Sequence, residues 1–243
     1  MRIRQRLIKS LVFGVLFLVL VFGLASVSRA DDEKYYFGLI NVENSLKGDF
    51  NGRTTYDFVE SSTMCRVPKV DSGSGYGFLI GGIKHNLAGE IFYIRSTHET
   101  SFLGVYDFDG SGDFEPDEVY SFESDGEYEV WGFNIKHYWI NLFDNRFRFC
   151  GQIGANFPKF TMEDGSYKED DITTYSDSIF TGYGLEAGLG FLLHINKKLA
   201  INGSAVYYQI RINRLKGFGS EREPKGDFDG RGSRYTLGIN YFF

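Results

Sequence analysis

Eight segments of this 243-residue chain alternate in hydropathy with a period of two, and the connections between them alternate short and long. The segments are Lys34–Val42, Tyr76–His85, Leu87–Ser96, Glu127–Trp139, Arg146–Asn156, Phe180–Leu193, Lys198–Ile212 and Arg234–Phe243. Successive side chains of a strand point to opposite faces, so this period predicts β-strands with one apolar side. In the last segment Tyr235, Leu237, Ile239, Tyr241 and Phe243 share one face, and Arg234, Thr236, Gly238, Asn240 and Phe242 share the other. A soluble sandwich alternates too, so the connections must decide. Three are tight: around Asn86, over 140–145, and over 194–197. Four are long: about 43–75, 97–126, 157–179 and 213–233. Each long connection holds one of the four prolines, Pro68, Pro116, Pro158 and Pro224, and none falls in a predicted strand. A closed ladder has no place for a residue without an N–H.

This pattern predicts an all-β fold, an eight-stranded antiparallel transmembrane up-and-down β-barrel with short turns at one end and long loops at the other. In lipid every backbone polar group must pair internally, so a spanning sheet has to close on itself. The N-terminus agrees. Arg2, Arg4, Arg6 and Lys9 precede an uncharged apolar run over 11–25, and Ser28-Arg29-Ala30 offers small residues for cleavage. This is the three-part form of an export signal, which predicts residues 1–30 as signal peptide and 31–243 as the barrel. The first thirty residues hold five of the 26 basic groups and none of the 32 acidic ones, which leaves the other 213 residues at a net charge of −11. Such a charge argues against nucleic acid as a partner. Mean hydropathy of −0.23 argues against a polytopic helical membrane protein.

The signal, the eight strands and the terminal Y-x-L-x-I-x-Y-x-F ending on Phe243 resemble the small outer-membrane β-barrel proteins of Gram-negative bacteria, the OmpA/OmpX-like class. The resemblance implies a monomer in the cell outer membrane, with outer-membrane lipid and lipopolysaccharide around it. It also implies that Phe243 is the signal read by the barrel-assembly machinery. It does not imply an activity, because this fold hosts many roles.

Eight strands enclose room for side chains and little else. The inward candidates are Glu90, Asn134, Lys136, Arg146, Arg148, Gln152, Glu186, Asn202 and Asn240. Both signs are present, so a plug of paired charges is expected, with a small-solute pore or transporter as the alternative. Trp131 and Trp139 share an outward face, with Trp139 and Tyr241 expected in an aromatic girdle at the tight-turn end.

The second long connection carries nine acids and no Lys or Arg. Within it, Asp107 to Glu118 reads D-F-D-G-S-G-D-F-E-P-D-E, which resembles a twelve-residue EF-hand calcium loop. Asp107, Asp109 and Ser111 stand at positions 1, 3 and 5, Gly112 at the sharp turn, Asp113 and Glu115 at 7 and 9, and Glu118 at the bidentate position 12. Calcium is thus the expected cofactor. Ser at position 5, Phe114 at position 8 and non-helical flanks depart from that motif, and a solvated acidic loop with Asp-Gly turns is the other reading. The opening of the motif recurs in Asp49-Phe50-Asn51-Gly52 and Asp227-Phe228-Asp229-Gly230.

No zinc-like spacing joins His85, His98, His137 and His194. A lipid A-modifying enzyme would need a nucleophile, a histidine and an acid together. His98 with Ser101 and Glu99, expected in a loop, is the local candidate, and the expectation overall is a non-enzymatic protein with a structural or surface-interaction role. Cys65 in the first long connection and inward Cys150 could bridge only if that connection plunged into the barrel.

Overall fold

The computed structural model describes residues 33–52, 55–57, 64–105, 119–162, 167–169, 172–174, 178–217, 220–222 and 228–243. The proposed signal, residues 1–30, lies outside them. Eight long strands carry the fold: β1 (Glu33–Gly48), β2 (Gly73–Lys84), β3 (Leu87–Val105), β4 (Val119–Leu142), β5 (Phe147–Met162), β6 (Ser178–His194), β7 (Leu199–Gly217) and β8 (Phe228–Phe242). Each pairs antiparallel with the next, and β8 returns to β1 over Tyr36↔Phe242 to Gly48↔Gly230. The ring is closed, with no open edge between β1 and β8. Phe242 N–H donates to the Lys198 carbonyl at 2.7 Å and Phe243 N–H to the Tyr35 carbonyl at 3.1 Å, which sews in the last residues.

The alternation read from the sequence holds strand by strand. Leu237, Ile239 and Tyr241 are exposed, whereas Arg234, Asn240 and Phe242 are buried. An outward apolar band runs from Tyr76, Trp131, Phe157, Tyr183, Tyr207 and Tyr235 to Trp139, Leu193 and Tyr241. From Trp131 to Trp139 is about 26 Å along the strand, or about 20 Å of membrane depth at a tilt near 40°. At the upper edge the rings of Tyr93 and Trp131 lie 4.7 Å apart. Immediately beyond them stands a collar of exposed charge, Arg95 to Glu127 at 2.5 Å and Lys159 to Glu129 at 2.8 Å. Ion pairs there cost little because water reaches them, so they mark where lipid ends.

The strands run well past this band. Strand β3 continues to Val105 and β4 begins at Val119, so the predicted long connection 97–126 shrinks to 106–118. The others shrink similarly: β1 reaches Gly48, β5 reaches Met162 and β7 reaches Gly217. Above the band the outward face meets water instead of lipid, and the buried inner face of β3 carries the polar Ser96, His98 and Thr100, so hydropathy alternation fades while backbone pairing continues.

Pro158 corrects another expectation. It stands inside β5, buried on the lumen side and in register with Val130 of β4. The ladder to β6 lapses beside it, because Thr181 pairs with Lys159 and the next pair is Gly184 with Asn156. The missing N–H is the reason, and a register shift between Thr181 and Gly182 on the β7 side coincides with it. The lapse sits at the upper edge of the band, beside Phe157 and Trp131, where water can satisfy freed groups.

The tight turns use left-handed backbone at His85 (φ 54°), Phe143 (φ 54°), Asp144 (φ 54°) and Asn145 (φ 64°). Inside, a Cβ on Gly232 would stand 2.5 Å from the Tyr208 hydroxyl oxygen, and one on Gly81 would stand 2.7 Å from the Tyr36 ring. Inward glycines therefore make room for the two large tyrosines.

Candidate functional site

The lumen is filled in layers. Nearest the tight turns, Lys136 of β4 meets Glu90 of β3 at 2.7 Å, and the Tyr36 hydroxyl donates to the same carboxylate at 2.6 Å. Higher, Arg234 of β8 donates from Nη2 to both oxygens of Glu186 on β6, at 2.7 and 2.8 Å, and Asn156 adds a third bond at 3.0 Å. The Arg234 guanidinium also lies over the Phe92 ring, 4.7 Å from its centroid. Asn202 donates to Asn240, and the Tyr208 hydroxyl reaches Asn44 at 2.9 Å. Each of these buried charges has an opposite charge, and both carboxylates take a further hydrogen bond, from Tyr36 and from Asn156, while Arg234 Nη1 is left without a partner. Asn134 and Gln152 are buried here as expected, whereas Arg146 and Arg148 stand at the solvated mouth. Cys150 is a buried free thiol. Arg234 is legible as inward from the alternation of its strand but is not among the inward candidates, and it holds one of the two pairs.

The outer end is closed by aromatics. Phe50, from the stretch after β1, enters the lumen and packs against Phe160, Phe180 and Phe228, with ring centroids 5.7, 5.6 and 5.0 Å away. All four are buried. The chain turns there at Gly48 (φ 91°) and Gly52 (φ 77°). Asp49 fixes the turn, since its N–H donates to the Asp229 carbonyl at 3.1 Å and its Oδ2 accepts the Asp229 N–H at 2.8 Å. Two repeats of the same short motif thus meet: Asp49-Phe50 from the first connection and Phe228-Asp229 from the last. Their structural use is aromatic plugging.

A second clasp holds the descending part of the first connection. Lys69–Val70 pairs with Thr100–Ser101 of β3. His98 Nδ1 lies 2.8 Å from the Asp71 carbonyl and Nε2 lies 2.9 Å from Ser96 Oγ. A carbonyl only accepts, so Nδ1 carries the proton and Nε2 accepts from the Ser96 hydroxyl. His98 is inside a strand and 1% exposed, not in a loop. Burial pushes its pKa below the ordinary histidine value, partly offset by the bond to Asp71. The proposed set of His98, Ser101 and Glu99 is not assembled, because Glu99 is exposed on the opposite face and Ser101 shares that face. Ser96 is the serine that His98 holds, and it too is 1% exposed, so the pair acts as a buried fastener.

Asp107, Asp109, Ser111, Asp113, Glu115 and Glu118 all lie outside the described residues. What is described is the strand pair on either side of them, where Val105 of β3 pairs with Val119 of β4. Among the described residues no group of three or more His, Cys, Asp or Glu side chains is arranged to hold a metal.

No protein-family model matches the sequence, and no curated protein matches it. Solved structures do. The outer membrane protein OprG of Pseudomonas aeruginosa is similar with a TM-score of 0.51 at 14% identity, over 87% of this chain and 96% of that one. A major outer membrane protein of Thermus thermophilus also gives 0.51, at 11% identity, over 87% of this chain and 99% of that one. At such identities the likeness is one of fold, an outer-membrane type of β-barrel.

Proposed function

We propose that this chain is a closed, non-enzymatic barrel of the bacterial outer membrane, with a structural or surface-interaction role. The observation that carries the reading is the filled lumen: Glu90–Lys136 and Glu186–Arg234 occupy its middle and Phe50 seals its outer end. A solute would have to break two desolvated ion pairs and expel an aromatic cluster. Strands β3 and β4 stay paired beyond the collar as far as Val105 and Val119, which supports an outward-reaching hairpin as the surface for such an interaction. The segment 106–118 between them is the proposed calcium site, with Asp107, Asp109, Ser111, Asp113, Glu115 and Glu118 as ligands. Outer-membrane lipid and lipopolysaccharide are the surrounding partners, and Phe243 addresses the assembly machinery. Planar-bilayer recording on the refolded protein tests the central claim. Silence is expected, and steady single-channel openings would overturn it.

A further inference from the structure

The tight-turn end of the barrel opens into a chamber of about 680 Å³. Strand alternation turns Lys34 of β1, Arg148 of β5 and His194 of β6 toward it, in step with buried Tyr36, Cys150 and Leu192. The turns contribute Arg146 and Lys197, and Phe242 and Ile83 form apolar wall. Asp144 is the one acid in the lining. The balance is strongly positive in a chain that is otherwise acidic.

The contrast with the lumen above is informative. There Lys136 and Arg234 each have a carboxylate. Among the described residues Lys34, Arg146, Arg148 and Lys197 make no ion pair. The guanidinium of Arg148 is nevertheless held in place. Its Nε donates to Asn141 at 3.0 Å, its Nη2 donates to Asn86 at 3.1 Å and to the His85 carbonyl, and it lies over the Tyr138 ring at 4.4 Å. A fixed cation on a concave wall loses little freedom when an anion arrives. Clefts lined by one sign of charge also concentrate counter-ions.

We propose that this chamber binds a small soluble anion carrying several phosphate or carboxylate groups. Lys34, Arg146, Arg148 and Lys197 are its cationic contacts. Lipid headgroups ring the outside of the barrel wall, whereas Lys34 and Arg148 line its inside and Arg146 and Lys197 stand on the turns at the rim of the chamber, so a ligand seated among all four comes from solution. The volume suits a compact oligoanion and lies within the usual range of small-molecule sites.

Calorimetric titration of the refolded protein in zwitterionic micelles with inorganic pyrophosphate tests the proposal. Saturable binding is expected at low salt, weakened by added sodium chloride. Arg146→Gln with Lys197→Gln, both exposed positions, should weaken it by about tenfold or more. Arg148→Gln is the second variant, and its fold is checked by heat-modifiable gel mobility. Absent binding, or equal binding by the double variant, would overturn the proposal. So would displacement of pyrophosphate by an equal concentration of short-chain phosphatidylglycerol, which would make the ligand a headgroup.

Discussion

Arg234 on β8 reaches past β7 to grip Glu186 on β6, with both carboxylate oxygens within 2.8 Å of a single guanidinium nitrogen. The bond ties two strands that do not touch in the sheet, through a lumen where both side chains are almost fully buried.

Removing one partner of this pair strands the other in the lumen. Glu186→Gln should therefore cost about 3–5 kcal/mol. Urea titration of the folded band on unheated gels measures it. The combined change Glu186→Leu with Arg234→Met should recover most of the loss, because an apolar pair leaves no charge unpaired. A double variant as unstable as the single one would show that the pair is not the cause.

Phe50 is the keystone of the outer seal. Phe50→Ala should destabilise the barrel by about 3–5 kcal/mol, the usual loss for a buried phenylalanine. Bilayer recordings of this variant should stay silent, because the Glu186–Arg234 and Glu90–Lys136 pairs still fill the lumen below. Channel openings on this change alone would show that the seal, not the ion pairs, closes the barrel.

His98 makes the outer clasp sensitive to pH. Its native pKa is lowered by burial, so between that value and the ordinary histidine range the unfolded chain binds a proton that the native chain does not. Stability is full above the ordinary histidine range and falls as pH drops from it toward the lowered native value. His98→Asn should flatten this part of the profile. The check is the difference in urea midpoint between about pH 7.5 and about pH 5.5, wild type against variant, which spans the ordinary histidine range. Other histidines contribute equally to both and cancel in that comparison.

The calcium reading rests on Asp107 to Glu118. Calcium titration should reveal one site of about millimolar affinity, as for extracellular modules without a helical frame. Glu118→Gln, which removes the charge of the bidentate ligand, should abolish it. Equal titrations of the two proteins would sink the assignment.

Pro158 shows where sequence reading overreaches. The rule that a central strand needs every N–H places it in a long connection. At the upper edge of the band one strand pair can lapse, and there β5 carries the proline without losing its pairing to β4. His98 shows the complementary limit. It lies beyond the last clearly alternating residues, where the outward face is polar because it meets water and the buried face carries polar Ser96, His98 and Thr100, so the hydropathy signal is lost, yet backbone pairing carries β3 on to Val105.

Strand identity, lumen face and lipid face were determined by the sequence itself, because the period of two is a property of a single extended backbone. So was closure, since eight spanning strands in lipid cannot leave an edge unpaired. The partnership of Glu186 with Arg234 and the descent of Phe50 onto Phe228 were decided only by tertiary structure. Both depend on the heights at which non-adjacent strands bring their residues around a closed ring. That stagger is set by all eight registers together, and no single segment encodes it.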